Sequence, residues 1–193
     1  GMKIAAEWYE KGLGKALGYL VGALVLGTAF PHLLKQTDWN YNWKHVLMVT
    51  STVAATGGLI IFLFVPRGPF FKKGTGYSFD AFKNSFRFPN FRAASFGYFG
   101  HMWELYAFWA FVPIILNLYI QQNGALLNVP LWSFIIIAAG AVGCVAGGYI
   151  TTKHGSAKVA YAGLLISFCC CLFSMFSFVL PPALFLFFLL IWG

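Results

Sequence analysis

The chain has 193 residues, 60% of them hydrophobic and 9% charged, against roughly 25% charged in an ordinary soluble domain. Such a chain cannot hide its apolar surface inside a water-soluble fold. A formal net charge of +8 would suit a nucleic-acid binder if the basic residues formed one patch, but they are sorted by loop, and no nucleic-acid partner is expected.

A helix-like stretch over residues 1–9 opens the chain. Uninterrupted apolar segments follow at 16–34, 46–65, 93–120, 131–150 and 159–180, with material for a sixth at 183–193. Runs of about 18 or more apolar residues are long enough to cross a hydrocarbon core of about 30 Å. They predict helices, because membrane strands would alternate in polarity over about 10 residues and these runs are apolar on every face. The predicted fold class is all-α, a polytopic membrane helix bundle whose first partner is the lipid bilayer.

The loops sort into two sets. One carries Lys3, Lys11 and Lys15, then Arg67, Lys72, Lys73, Lys83, Arg87 and Arg92, then Lys153 and Lys158. The other carries only Lys35 and Lys44 of the 13 Lys and Arg residues, beside Asp38, and its loop 121–130 has no charge. The positive-inside rule places the first set, loops 10–15, 66–92 and 151–158, in the cytoplasm, and the multi-pass chain in a plasma or inner membrane. Both ends read as incomplete helices. The final run of 11 residues reaches only about 16 Å, which predicts a segment of a longer permease.

The longest polar stretch, 66–90, begins and ends as loop through Pro66, Pro69, Gly74, Gly76 and Pro89. Within it Ser78 can cap a short helix with Phe79, Phe82 and Phe86 on one face and Lys83 and Arg87 toward the other, a pattern suited to a headgroup layer; a loop with scattered phenylalanines is the alternative. Glycines at four-residue spacing, Gly14, Gly18 and Gly22 and then Gly143 and Gly147 with Ala139 one turn before, predict close helix contacts.

Glu104 lies eleven residues past Ala93, about 16 Å into its span. A carboxylate at that depth costs several kcal/mol unless it is protonated, paired or facing water. His101 and Tyr98 precede it at three-residue steps and are expected on the same side of the helix. Glu104 is therefore the expected proton or substrate site, with His101 as partner and Tyr98 as hydrogen-bond donor; the alternative is a structural lock bonded to a neighbouring helix. His32, Asn117 and the back-bonding Thr50, Ser51, Thr52 and Thr56 are weaker candidates, and Pro113 is expected to bend its span.

No catalytic, metal or cofactor motif is present: no pair of histidines at ligand spacing, no Gly-x-Ser-x-Gly elbow, and a Gly74-Thr75-Gly76 too short to cradle phosphate. The adjacent Cys169, Cys170 and Cys171 point in different directions on a helix and cannot converge on one metal; with Cys144 they read as packing residues. No enzyme activity and no cofactor are expected, although an intramembrane enzyme around His101 and Glu104 stays open.

The stretch Gly148-Tyr149-Ile150-Thr151-Thr152-Lys153-His154-Gly155 resembles the loop signature of the major facilitator superfamily: glycine, three residues, aspartate, a basic residue, one residue and glycine. Thr152 stands where the aspartate is expected. Glu7-Trp8-Tyr9 followed by Gly14-Lys15-Ala16-Leu17-Gly18 resembles that family's loop between its fourth and fifth helices, and Trp43-Lys44 is also similar to it. Within the family, the chain resembles nitrate/nitrite-porter-like sequences.

The resemblance covers essentially the whole chain and implies a twelve-helix fold of two six-helix halves. Residues 1–65 would close the first half, 66–91 would be the cytoplasmic central loop, and 92–193 would open the second, from the end of helix four to the start of helix ten. It implies secondary transport of a small solute by alternating access, coupled to a proton or another ion, with Gly148, Lys153 and Gly155 as the gating-loop motif and the remainder of the permease as partner. A non-transporting receptor or assembly subunit would share the same topology.

Overall fold

A computed structural model describes residues 1–36, 43–71 and 79–193. Among the described residues the chain is all-helical. Its helices are α1 (Met2–Trp8), α2 (Leu13–Gln36), α3 (Trp43–Phe64), α4 (Phe79–Ser85), α5 (Pro89–Asn123), α6 (Val129–His154), α7 (Ser156–Ser177) and α8 (Pro182–Trp192). Five of these, α2, α3, α5, α6 and α7, are long and apolar enough to cross a membrane, and α8 is a shorter apolar helix. The protein is a polytopic membrane helical protein, with span positions close to those expected from hydropathy.

Local chemistry sets the helix ends. Pro89 opens α5, where a missing amide hydrogen costs nothing, and Gly124 closes it at φ 63°, in the left-handed region that glycine enters freely. Asn128 caps α6 by accepting from the Leu131 amide at 3.0 Å. Gly155, at φ 84° and ψ 150°, ends α6 and begins α7 in a single residue.

The most extensive helix–helix contact among the described residues is the antiparallel crossing of α2 and α6. Gly18, Gly22, Val25 and Ala29 form the buried stripe of α2. A Cβ on Gly18 would stand 2.8 Å from the Cys144 carbonyl oxygen and 3.1 Å from the Gly148 Cα. One on Gly22 would stand 3.1 Å from the Ala141 carbonyl oxygen, and one on Gly14 2.7 Å from Thr151 Oγ1. Gly143 and Gly147 are elsewhere: a Cβ on Gly143 would meet nothing within 4 Å, and one on Gly147 would only graze Val159 at 3.9 Å. The α6 side of the contact is thus Ala141, Cys144 and Gly148, rotated about the helix from the expected pair.

The crossing carries a polar cluster at its end. Tyr19 and Tyr149 share a hydrogen bond between hydroxyls at 2.9 Å, and the Lys15 ammonium lies 4.7 Å from the centre of the Tyr149 ring. At the same end of α2, the Trp8 indole donates to the Pro66 carbonyl at 3.3 Å and the Phe70 amide donates to the Glu7 carbonyl at 3.0 Å. Gly68 packs so closely on that Glu7 carbonyl that a Cβ would collide with it.

Helix α6 also packs against α5, α7 and α8. The core joins Val25 and Ala29 of α2 to Phe108, Val112, Leu116 and Tyr119 of α5, Ile136 and Ile137 of α6, and Phe185 and Leu189 of α8. Tyr119 stacks on Phe185 with ring centres 3.8 Å apart, and its hydroxyl donates to the Leu180 carbonyl at 2.6 Å. By contrast, α3 buries none of its residues. Its Thr50, Thr52 and Thr56 hydroxyls bond back to carbonyls one turn earlier at 2.7–2.8 Å, which frees the helix from needing polar neighbours. Outward-facing Phe62, Phe64, Phe168, Leu172 and Met175 are exposed, a surface suited to lipid tails.

The short helix in the long polar stretch forms as α4. Phe86 lies just past its end, with the rings of Phe82 and Phe91 at 5.3 and 5.2 Å. The expected cap Ser78, the side chain of Phe79, the residues Lys72, Lys73, Gly74, Thr75 and Gly76, and Asp38 in the opposite loop lie outside the described residues.

Candidate functional site

Helix α5 is unbroken through Pro113, and its buried stripe runs along Phe108, Val112, Leu116 and Tyr119. One and two turns before Phe108 the same stripe changes from apolar to ionisable at Glu104 and His101. Both side chains are partly enclosed, 26% exposed for Glu104 and 43% for His101. Glu104 falls near the middle of α5, where α7 and the end of α8 come together on it.

The two carboxylate oxygens have different surroundings. Oε1 accepts from the Ser167 hydroxyl of α7 and from the Trp192 indole N–H of α8 at 2.9 Å, with the Cys171 thiol of α7 3.9 Å away. Oε2 faces His101 Nδ1 at 4.0 Å, too far for a hydrogen bond. Nδ1 itself is buried and makes no hydrogen bond among the described residues. The carboxylate is therefore anchored by one oxygen to two other helices and leaves the second directed at an unsatisfied imidazole nitrogen.

Trp192 reaches the carboxylate because its ring lies 4.6 Å from Phe108, packed under the same stripe. Ser167 belongs to a row of small residues with Cys170, Ser174 and Ser177, which together with Val159 are the partly or fully buried positions of an otherwise exposed helix. Neither Ser167 nor Trp192 was singled out from the sequence, and Cys171 reads there only as a packing residue. The available signals were the three- and four-residue spacing of small polar residues in α7 and an indole N–H that needs an acceptor in an apolar setting.

Tyr98 is not brought to this site. It is largely exposed and lines an open apolar hollow with Phe99, Met102, Trp103, Tyr106 and Ala107. Each three-residue step falls about 60° short of a full turn, so two steps carry Tyr98 a third of a turn away from Glu104. His101 is one step away and stays within reach.

The remaining candidates are dispersed. Gly148 sits in the α2 contact, Lys153 is exposed in the last turn of α6, and Gly155 forms the α6–α7 junction. Thr152 donates to the Tyr149 carbonyl of its own helix at 2.7 Å. Asn117 donates back to the Pro113 carbonyl at 2.9 Å, and His32 is half-buried near the far end of α2. The four cysteines are free, Cys170 alone being fully buried, and no group of three or more His, Cys, Asp or Glu side chains among the described residues is arranged to hold a metal.

Compared with known proteins, the chain matches no family model, no curated protein and no solved structure.

Proposed function

We propose that this polytopic membrane protein is a secondary active transporter that moves a small solute by alternating access, coupled to an ion, on the major facilitator plan; it is not proposed to be an enzyme. The observation that carries the reading is Glu104, an ionisable side chain near the middle of a spanning helix, turned inward and held in a fixed orientation by two other helices. Intramembrane carboxylates that face a bundle interior generally mark ion or substrate pathways.

The α2–α6 crossing adds support. It joins a helix before the 66–91 stretch to one after it through backbone-close glycine contacts, and two halves that rock must meet at such a surface. On this reading residues 1–65 and 92–193 belong to opposite halves, residues 66–91 link them in the cytoplasm, and further helices of the permease complete the solute site. Loops 10–15 and 151–158 face the cytoplasm of a plasma or inner membrane, following the basic residues.

The experiment is uptake by the native protein in liposomes under an imposed ion gradient, screened against small anions and organic acids. Gradient-driven accumulation that Glu104→Gln removes is the expected result. Absence of accumulation for the whole panel, with the protein folded, overturns the reading.

A second reading, a non-transporting receptor or assembly subunit, is favoured by one observation: the bonds at Oε1 tie α5 to α7 and α8 as a structural lock would. It requires Glu104→Gln to leave every measurable function intact, since an amide oxygen accepts the same bonds.

A further inference from the structure

We infer that Glu104 and His101 form a two-residue proton site, in which Oε2 and Nδ1 exchange the proton and Oε1 is a fixed anchor, so that the ion coupled to the proposed transport is a proton and not an alkali cation. The inference rests on the transporter reading for its role, and on the geometry of the carboxylate for its chemistry.

The first observation is the division between the oxygens. Oε1 already accepts from Ser167 and Trp192, whereas Oε2 has an imidazole nitrogen 4.0 Å away and no hydrogen bond among the described residues. An added proton therefore goes to Oε2. The second observation is that Nδ1 is a buried polar atom, unsatisfied among the described residues, on a side chain that is 43% exposed. One edge of the imidazole meets the carboxylate while part of the side chain remains accessible.

That arrangement supports a balanced transfer. Nε2 accepts a proton from outside, Nδ1 then gives its own proton to Oε2, and the ring is left neutral with its proton on Nε2. No other reactant is needed. The gap must close by about 1 Å to reach hydrogen-bond distance, which a side-chain rotation supplies.

The surroundings are wrong for an alkali cation. Hard cations are held by several oxygen ligands, and in transporters these come largely from carbonyls released where helices break. Here α5 is continuous through Glu104 and α7 through Ser167. The groups that touch the carboxylate present hydrogens to it: an O–H, an N–H and a thiol. The titratable groups facing it are His101 from its own helix and Cys170 and Cys171 from α7, while α8 contributes the non-titrating Trp192.

Proton binding then bears on the helices. Hydrogen bonds to an ionised acceptor are about twice as strong as neutral ones. Protonation at Oε2 weakens the Ser167 and Trp192 bonds at Oε1 together and loosens α7 and α8 from α5, a direct link between ion binding and helix movement.

The test is infrared difference spectroscopy of the native protein in liposomes, recorded as a function of pH in potassium and in sodium buffers. A protonated-carboxyl band is expected that appears with falling pH, is lost in Glu104→Gln, changes its pH profile in His101→Gln and is indifferent to sodium. Tyr98→Phe, at a position that lies away from the carboxylate in a separate hollow, is expected to keep the band and its pH profile and serves as the folded control. A band that sodium displaces, a carboxyl with no pH response, or an unaltered profile in His101→Gln overturns the proton site. A titrating band without any flux sinks the transporter reading and leaves the proton site standing; sodium-driven flux without a titrating band does the reverse.

Discussion

Gly18 of α2 and Gly148 of α6 meet backbone to backbone: a Cβ added to either would stand 3.1 Å from the Cα of the other and 2.8 Å from a carbonyl oxygen, that of Cys144 or of Gly14. No side chain lies between the two helices at this level. Gly18→Val and Gly148→Val must push the helices apart, and each is expected to destabilise the protein by about 1–3 kcal/mol, as overpacking does. Gly143→Ala meets open space and is expected to be neutral or stabilising by up to about 1 kcal/mol. Thermal unfolding in detergent separates the two classes, and equal effects at Gly143 and Gly18 would refute this register.

Tyr119 is 1% exposed, stacks on Phe185 and donates to the Leu180 carbonyl in the connection between α7 and α8. Tyr119→Phe keeps the stacking and loses the hydrogen bond, an expected cost of about 0.5–1.5 kcal/mol. Tyr119→Ala also opens a cavity, at about 3–5 kcal/mol. The ranking is checked by the same unfolding measurement, and protease sensitivity at 178–182 reports whether the α7–α8 connection is what loosens.

Glu104→Gln is expected to retain the fold, because an amide oxygen still accepts from Ser167 and Trp192, and to lose ion-driven uptake, because an amide does not exchange protons. Glu104→Ala leaves both donors without an acceptor and is expected to cost about 1–3 kcal/mol. Comparing pH-dependent uptake with stability for the two variants at matched expression separates coupling from packing. Wild-type uptake and pH dependence in Glu104→Gln would assign the residue to packing.

Sidedness follows from the basic residues and is tested in intact cells on a background lacking the native cysteines. Cysteines placed at Lys35 and Ala125 are expected to react with a membrane-impermeant reagent, and those at Lys83 and Lys158 only after permeabilisation. The reversed pattern would invert the topology.

The spans themselves were legible in the sequence because crossing a bilayer is a local demand: each segment must be long and apolar regardless of its neighbours. For the same reason Glu104 stood out, since its depth in the span is read from position along one helix. Which residues meet between helices was not legible, because that depends on the rotation of one helix against another. Four-residue spacing identified Gly14, Gly18 and Gly22 in α2, yet the same spacing at Gly143 and Gly147 lies off the contact that Cys144 and Gly148 make. Tyr98 was grouped with Glu104 by counting two steps of three, and the accumulated rotation places it in a different hollow. Ser167 and Trp192 lie 63 and 88 positions from Glu104 along the chain. Sequence determined that the carboxylate needed partners; only the packing of α7 and α8 onto α5 decided which ones, because hydrogen bonds between helices depend on a register that no single helix encodes.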